Sequence, residues 1–501
     1  MTRAGARPLA LGALGGVLVA LAGPPLSVPL LALAGLVSLA AAVSSARTWR
    51  QALAAGLAFG VAFSLVALRF IPTTVQRFTP LGWVPAALCL VLLALSQALP
   101  WAAAMGAAHA LVERARTAAP VAFAAGVLLA VSLPALFPWT PAGFLAPLPA
   151  LLQLADAVGE RGVVTLLALA AGVVASGLAR RSWRGVLAGS LLVAAIGAHG
   201  ALRMRALEAG DASRPRVTIA LVDPSIDAKL RWDLPSWPAI AEGLRSVTRR
   251  AEASGVDLSI WPESAYPFVL AHAAGPTPRG PRGLLADEGP HGPVLAGLIT
   301  DGGGLDRFNS ATVVAPDFRM QMPADKQRLL WFGEVVPLAD VFPWLRRTFQ
   351  QGAGLVPATG PRLLTSGAAR IAVLNCYEDT LPSVARSYAP LDPNLLVNLT
   401  NDAWFEGSLE PEMHHRFAVL RAIEQRRDLV RAVNRGVSSW IDASGRVRAQ
   451  VAGDGAGFLR VRPALREGEP TLYARLGDAP FALGVALACA MARRRRPRPG
   501  S

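Results

Sequence analysis

Apolar residues are crowded into the first part of this 501-residue chain, and polar positions become regular only later. From the N-terminus to about residue 202 almost every window is hydrophobic, whereas residues 203–478 mix apolar and polar positions as a soluble domain does. A helix needs about 20 apolar residues to cross a bilayer core. We therefore predict membrane spans at residues 8–23, 26–44, 51–70, 82–112, 118–137, 161–179, 185–202 and 478–493.

The same pattern predicts three parts: a membrane domain of about seven helices at residues 1–202, one soluble domain at residues 203–477, and a last membrane helix with a basic tail at residues 478–501. In the soluble part, residues 237–252 have the pattern of an amphipathic helix. Strand patterns occur before Glu263 and at residues 216–222, 294–299, 311–315, 371–374 and 394–399. Alternating strands and helices predict a layered α/β domain.

Basic residues indicate how the chain is oriented. If the eight spans alternate, most arginines near span ends fall on one side, which the positive-inside rule makes cytoplasmic. They are Arg3, Arg7, Arg47, Arg50, Arg114, Arg116, Arg180, Arg181, Arg184 and the cluster Arg493, Arg494, Arg495 and Arg496. The soluble domain is then expected on the periplasmic side of a bacterial inner membrane. The net charge of +15 is accompanied by no nucleic-acid motif, so we expect the bilayer as a partner and no nucleic acid.

One of the three cysteines is a candidate nucleophile. Cys89 and Cys489 lie inside apolar runs, where a thiol behaves as a small hydrophobe. Cys376 instead ends a strand pattern and precedes polar residues, a position that can expose a thiol beside backbone N–H groups. The alternative is a buried core cysteine. With one thiol in the soluble domain, no disulfide can form within it.

A thiol with a pKa of about 8.5 needs a base at neutral pH. Glu263 ends another strand pattern, in the stretch WPES, and is the candidate base. Lys326 is one of only two lysines among 49 basic residues, which suggests a role that arginine cannot fill. Lys229, the other lysine, shows that this bias has exceptions.

The order Glu263, Lys326, Cys376 resembles the nitrilase superfamily. Matching stretches are residues 221–226, 231–233, 261–264 (WPES), 308–311 (FNSA), 332–338 (FGEVVPL), 375–378 (NCYE) and 398–405. Together with the apolar N-terminal half, they resemble the apolipoprotein N-acyltransferase family of bacteria, a membrane-bound branch of that superfamily. The resemblance implies a polytopic α-helical membrane domain plus an α/β nitrilase-like domain built as an α-β-β-α sandwich.

The resemblance also implies roles for site residues. Glu263 would take the thiol proton, Cys376 would form an acyl thioester, and Lys326 with the backbone N–H of Tyr377 would stabilise the oxyanion. Glu334 and Glu378 would be supporting carboxylates that keep Lys326 charged and orient the amine. Each of these two could instead pair with one of the domain's many arginines. Trp232, Asn401 and Trp404 would bind substrate, with a core role as the alternative for the tryptophans.

The implied reaction moves a fatty acyl chain from a phospholipid, phosphatidylethanolamine above all, to the α-amino group of an S-diacylglyceryl cysteine on an exported apolipoprotein. The expected partners are the donor phospholipid, the lipoprotein acceptor and the bilayer, and the expected state is a monomer without a cofactor. His414 and His415 lack accompanying metal-ligand spacing, so we expect a structural or surface pair and no metal. Residues 342–349 alternate aromatics with arginines and predict an arm that dips into the membrane.

Three other functions remain open at this point. A membrane-tethered amidase or nitrilase would use the same three residues on a small C–N substrate, with water as the second nucleophile. A related transferase would send the acyl group to a non-lipoprotein amine. A non-catalytic membrane binding protein or transporter would need none of the three residues.

Overall fold

The computed structural model describes residues 3–211, 213–288, 291–304, 306–348, 354–453 and 455–492, without the side chains of residues 3–5, 232 and 346. Arg493, Arg494, Arg495 and Arg496, which entered the orientation argument, lie outside these ranges. The chain divides into two compact units. One takes in the described parts of Met1–Thr73, Gly82–Arg205 and Leu476–Ser501, and the other those of Thr74–Leu81 and Ala206–Arg475.

The described helices begin and end as follows: α1 Arg3–Leu21, α2 Leu30–Ser45, α3 Trp49–Ala67, α4 Ile71–Phe78, α5 Trp83–Glu113, α6 Ala119–Ser132, α7 Ala155–Ala179, α8 Trp183–Ala209, α9 Trp237–Ala253, α10 Pro343–Thr348, α11 Pro382–Ser387, α12 Glu410–Gln425, α13 Leu472–Leu476 and α14 Ala479–Met491. The described strands are β1 Ile219–Asp223, β2 Leu258–Ile260, β3 Leu270–Ala271, β4 Gly275–Pro276, β5 Val294–Gly303, β6 Asp306–Val314, β7 Arg319–Met320, β8 Ala324–Asp325, β9 Leu364–Ser366, β10 Ala369–Asn375, β11 Leu395–Asn401, β12 Leu429–Asn434, β13 Val437–Ile441, β14 Val447–Ala452 and β15 Gly457–Val461.

An α-helix occupies each of the eight predicted spans. Four of them, α3, α5, α7 and α8, are long and apolar enough to cross a membrane, while α1, α2, α6 and α14 are shorter apolar helices. Helix α6 ends at Ser132, before the predicted 137, because Leu133 precedes Pro134 and a residue before proline avoids the helical conformation. Helix α4 was not predicted.

Small residues let the helices of this unit pack with their backbones close together. A Cβ atom on Gly16 of α1 would lie 2.2 Å from the backbone oxygen of Phe59 in α3. A Cβ atom on Gly60 of α3 would lie 2.5 Å from the Cα atom of Ala98 in α5. Close packing at small residues is how helices associate where apolar surroundings remove the hydrophobic driving force.

The second unit contains two β-sheets in its described residues. The first has the order β15-β1-β2-β5-β6-β7-β4, with β3 on β5 and β8 on β6, and the second has the order β14-β13-β12-β11-β10-β9. In the first sheet β1, β2 and β5 run parallel, and in the second β10, β11 and β12 do. Parallel strands are typical of sheets covered on both faces.

The core confirms the predicted α-β-β-α sandwich. Apolar side chains of the two sheets pack against each other, among them Ile219, Leu221, Ile260, Leu295, Ile371, Val373, Val397 and Val430. Helix α9 covers the outer face of the first sheet through Ile240, Leu244 and Val247. Helices α11 and α12 lie against the second sheet. Residues that follow β2, β10 and β11 therefore lie at strand ends, held by two packed sheets.

Candidate active site

Glu263 is held in a turn that follows β2. The turn is braced by the buried Arg231, whose Nε donates to the backbone oxygen of Ser264 at 2.6 Å. The same guanidinium donates to the backbone oxygens of Tyr266 and Pro267, each at 3.3 Å. Because one guanidinium binds three backbone carbonyls of this loop, the backbone that carries the Glu263 side chain is held in place.

Lys326, directly after β8, lies between two carboxylates. Its Nζ is 2.9 Å from Oε1 of Glu263 and 2.9 Å from Oε2 of Glu334, and its side chain is only 2% exposed. Burial disfavours the charged ammonium, but the charges of Glu263 and Glu334 outweigh it and hold the pKa of Lys326 well above its ordinary value. The lysine is therefore a permanent cation, suited to stabilising negative charge.

Asn309 is a site residue to which the sequence analysis assigned no role. Its Nδ2 donates to Oε1 of Glu263 and to Oε1 of Glu334, both at 2.8 Å, and its backbone oxygen accepts from the N–H of Lys326 at 2.8 Å. One buried amide thus spaces the two carboxylates that hold the lysine. The signal was present in the FNSA stretch, but a lone asparagine in a strand does not indicate its partners.

Cys376 occupies a strained elbow between β10 and a 3₁₀ helix, Cys376–Thr380. Its φ of 52° lies in the left-handed region that non-glycine residues rarely adopt. Asn398 Nδ2 donates to the backbone oxygens of Leu374 and Cys376, both at 2.9 Å, and so fixes the elbow from the neighbouring strand. A strained residue held from several sides is common at functional sites.

The Cys376 thiol is protonated at rest. Burial, and after it the charge of Glu263, raises its pKa well above the ordinary value, while Lys326 acts in the opposite direction. The charges of Glu263 and Lys326 thus both act on the thiol. The thiol consequently depends on a base to become a nucleophile.

Glu378 braces the Cys376 elbow. Its Oε1 accepts from the N–H groups of Gln327 at 2.7 Å and Arg328 at 2.8 Å, and its Oε2 accepts from the N–H of Asn375 at 2.8 Å. Burial raises the pKa of Glu378 to about 7, against the opposing effect of Lys326 and these N–H donors. Its described hydrogen bonds go to the backbone, so it ties the segment after Lys326 to the end of β10.

Tyr377 is fixed beside the lysine. Its hydroxyl donates to the backbone oxygen of Leu329 at 3.1 Å, and its ring centroid lies 5.5 Å from Nζ of Lys326. The backbone N–H of Tyr377 lies in the first turn of the 3₁₀ helix, one residue after the thiol. N–H groups in a first turn have no partner within their own helix.

Two family models and several known proteins match this chain. Residues 218–460 match the carbon-nitrogen hydrolase family, and residues 15–173 match the apolipoprotein N-acyltransferase N-terminal domain. Apolipoprotein N-acyltransferase of Geobacter metallireducens is 34% identical over 72% of this chain and 71% of its own. Those of Bradyrhizobium diazoefficiens (32%, 72% and 70%) and Brucella melitensis (31%, 64% and 62%) are also similar. The chain belongs to the apolipoprotein N-acyltransferase family.

Among solved structures, an amidase from Nesterenkonia sp. AN1 is similar over 54% of this chain and 97% of the amidase. Its identity is 17% and its TM-score is 0.36.

The three predicted substrate-binding residues of this family member differ in what they contact. The backbone of Trp232 lies in a 3₁₀ helix, and its side chain is outside the described part of the chain. Asn401 Oδ1 accepts from Nδ2 of Asn434 at 2.8 Å, so this oxygen holds the ends of β11 and β12 together. Trp404 packs against Phe78 at the end of α4, with ring centroids 4.3 Å apart.

An apolar surface follows the lysine in the chain. Between residues 331 and 344 the exposed large hydrophobic side chains are Trp331, Phe332, Leu338, Val341, Phe342 and Trp344. A contiguous set of large exposed apolar side chains is typical of a protein or membrane contact. The predicted arm begins here, and its last aromatic, Phe349, lies outside the described residues.

Proposed function

We propose that this chain transfers a fatty acyl group from a phospholipid, with phosphatidylethanolamine as the expected donor, to the α-amino group of an S-diacylglyceryl cysteine on exported apolipoproteins. Membership of the apolipoprotein N-acyltransferase family supports lipoprotein N-acylation in general. The observation that carries the mechanism is the buried group of Glu263, Lys326 and Glu334, whose charges act on the Cys376 elbow.

In the proposed first step, Glu263 takes the proton of the Cys376 thiol and the thiolate attacks the ester carbonyl of the phospholipid. The oxyanion that forms is stabilised by the Lys326 ammonium and the N–H of Tyr377. The carbon–oxygen bond then breaks, and Glu263 returns its proton to the oxygen of the departing lysophospholipid. A positioned base contributes typically ~10²–10⁴-fold, and one oxyanion donor on the order of 10²–10³-fold.

In the proposed second step, the α-amino group of the lipoprotein attacks the thioester carbonyl. Glu263 takes a proton from the attacking amine, the carbon–sulfur bond breaks, and the Cys376 thiolate regains that proton. Both described hydrogen bonds to Glu263 use Oε1, which leaves its second oxygen for these transfers. Lys326 serves both oxyanions without changing its own charge.

The membrane setting fits lipid substrates. Both proposed substrates keep their acyl chains in a bilayer, and moving one into water costs ~0.8 kcal/mol per methylene. The apolar helices of the first unit and the exposed aromatics at residues 331–344 support a site that opens at a lipid surface. We propose an inner-membrane enzyme with its catalytic unit on the periplasmic side, acting as a monomer.

The decisive experiment is intact-mass measurement of the purified protein after incubation with phosphatidylethanolamine and no acceptor. Wild type should gain one acyl mass, and a diacylglyceryl lipopeptide should then remove it. Cys376→Ala should gain nothing. Cys89→Ala and Cys489→Ala are matched controls, because those thiols lie in α5 and α14, and both should gain the acyl mass as wild type does.

The outcomes separate the alternatives. An acyl mass that water removes as fast as the lipopeptide does would indicate a tethered hydrolase. An acyl mass that only other amines remove would indicate a transferase with a different acceptor. No acyl mass on any variant would contradict the proposal and favour a different substrate or a binding protein.

A further inference from the structure

A buried ion network lies behind the nucleophile. Asp379 is three residues after Cys376 in the same 3₁₀ helix, and its Oδ1 lies 2.9 Å from Nε2 of His414 on α12. Nδ1 of His414 lies 3.3 Å from Oδ1 of Asp402, directly after β11. The side chains of Asp379 and Asp402 are 0% exposed and that of His414 is 3% exposed. His414 and His415 are both buried, so of the two expected possibilities, a structural or a surface pair, the structure supports the structural one.

Other charged groups surround His414 from every side. The fully buried Arg431 on β12 forms an ion pair with Oδ2 of Asp379. Oε1 of Glu410, one turn earlier on α12, lies 4.0 Å from Nδ1 of His414. The titratable and charged groups that act on the network are Asp379, Asp402, Glu410, His415, Arg416 and Arg431.

His414 is an imidazolium in this setting. Burial disfavours the charged ring, but the charge of Asp379 outweighs it, and the pKa of His414 is raised to about 10. Burial raises the pKa of Glu410 to about 8, so that carboxyl is protonated at neutral pH. Two carboxylates, Asp379 and Asp402, are then balanced by two cations, His414 and Arg431.

The network does not suit a metal ion. Potential ligand atoms of Asp402, Glu410 and His414 lie within 4.8 Å of one another. A cation there would have to displace the proton of His414, because only the neutral ring is a ligand. It would also face the Arg431 guanidinium across Asp379. Asp379, Asp402, His414 and Arg431 therefore form an ion-pair network that connects four elements, namely the 3₁₀ helices Cys376–Thr380 and Asp402–Phe405, helix α12 and strand β12.

The network joins the two segments that frame the thiol. Asp379 anchors the helix that starts at the strained Cys376, and a left-handed residue of this kind persists only when its surroundings hold it. Asp402 begins the 3₁₀ helix Asp402–Phe405, which carries Trp404. The charge of Asp402 also acts on the thiol, whose pKa it raises.

We propose that His414 is a positioning residue, which acts through Asp379 and Asp402 to hold the Cys376 helix and the 402–405 turn in the arrangement that acyl-thioester formation needs. This inference rests on the proposed role of Cys376 as the nucleophile. His414 touches neither the thiol nor substrate. Its effect should appear in the rate of the chemical step and not in donor affinity.

The test is single-turnover formation of the acyl-enzyme by His414→Gln, which is neutral and carries both N–H donors on one nitrogen, so that it cannot donate to Asp379 and Asp402 from two separate atoms as the imidazolium does. We expect a rate about ten to a hundred times lower at saturating phosphatidylethanolamine, because displacements of about 1 Å cost up to 10²-fold. The donor concentration for half-saturation should stay unchanged. His415→Gln is the matched control on the same helix, because burial lowers the pKa of His415 to about 3 and its ring is neutral. It should keep the wild-type rate.

A double variant distinguishes positioning from simple packing. Asp402→Asn added to His414→Gln removes the carboxylate that the first change leaves unpaired. The double variant should be faster than His414→Gln alone, whereas a packing role would make the two losses multiply. A wild-type rate for His414→Gln, an equal loss for His415→Gln, or multiplied losses would overturn the inference. If His414→Gln does not fold, Asp402→Asn, which keeps the side-chain shape, should itself lower the rate, and a wild-type rate would overturn the inference.

Iodoacetamide alkylation of Cys376 separates this inference from the proposed function, because it needs no acyl donor. The charged groups that shift the pKa of the Cys376 thiol are Glu263, Lys326, Asp402 and Glu334. Asp402→Asn should lower the pH midpoint of alkylation, since it removes a charge that raises the thiol pKa. If Asp402→Asn lowers this midpoint but the wild-type protein never gains an acyl group, only the proposed function is contradicted. An unchanged midpoint would overturn the link between the network and the thiol.

Discussion

At the scale of single residues, the main question is how a thiol with a raised pKa becomes a nucleophile. Burial and Glu263 both favour the neutral thiol of Cys376, and Lys326 only partly offsets them. The resting enzyme therefore holds a protonated thiol, not a standing thiolate. This protects the thiol from oxidation and from adventitious electrophiles, since the thiolate is the reactive form.

Glu263→Gln should separate the effect of Glu263 on the pKa of the Cys376 thiol from its proposed role as the catalytic base. Removing the carboxylate removes a charge that raises the thiol pKa, so the pH midpoint of Cys376 alkylation by iodoacetamide should fall. Acyl-enzyme formation should drop by ~10²–10⁴-fold, because the base is lost. The thiol thus becomes easier to ionise while acyl-enzyme formation slows.

The matched control is Glu467→Gln. Its carboxylate is 69% exposed and pairs with Arg370 away from the thiol, so neither readout should change. A midpoint that rises in Glu263→Gln, or full acyl transfer without the carboxylate, would contradict the assignment of Glu263 as the base.

At the scale of elements, the six predicted strands correspond to β1, β2, β5, β6, β10 and β11, because alternation and apolar runs are local properties. Those predicted at residues 294–299, 371–374 and 394–399 are β5, β10 and β11, each one to four residues longer in the structure. Strands β3, β4, β7 and β8 were not predicted, because each spans two residues, which is too short for any periodicity to appear. The longer strands β9, β12, β13, β14 and β15 were not predicted either.

A close approach between elements supports the Glu263 turn. A Cβ atom on Gly297 of β5 would lie 2.2 Å from the backbone oxygen of Pro262 and 2.9 Å from the Cα atom of Glu263. These backbone atoms cannot move aside for an added Cβ atom as the end of a flexible side chain can. The glycine therefore lets β5 pass directly beneath the proposed base.

Gly297→Ala should displace Glu263 and lower acyl-enzyme formation by about tenfold or more, because a displacement near 1 Å costs up to about 10²-fold. The melting temperature should fall as well. Gly457→Ala in β15 is the strand control, because its Cβ would meet nothing within 4 Å, and it should keep the wild-type rate. Equal rates for the two variants would show that the close approach does not position Glu263.

At the scale of the whole molecule, the arginine pattern predicts how the chain is oriented in the membrane. The loop between α7 and α8 carries Arg180 and Arg181, and α8 leads to Asp211 at the start of the second unit. If α8 crosses the membrane, these two points lie on opposite sides. The positive-inside rule then makes the loop cytoplasmic.

Paired reporter fusions test this orientation. Alkaline phosphatase fused after Asp211 should be active and a fluorescent protein fused there should be dark, whereas fusions after Arg181 should give the reverse. The two sites differ by one helix, so each serves as the control for the other. The same readout at both sites, or a fluorescent fusion at Asp211, would contradict a periplasmic catalytic unit.

The sequence by itself determined the apolar spans, the strand ends and the order of Glu263, Lys326 and Cys376, because hydrophobic periodicity and motifs are properties of neighbouring residues. Only the tertiary structure decided which side chains meet. Asn309 lies between Glu263 and Glu334, and His414 lies between Asp379 and Asp402, across separations of 46, 25, 35 and 12 residues. Contacts at such separations depend on how two sheets and their covering helices pack, which no local pattern contains.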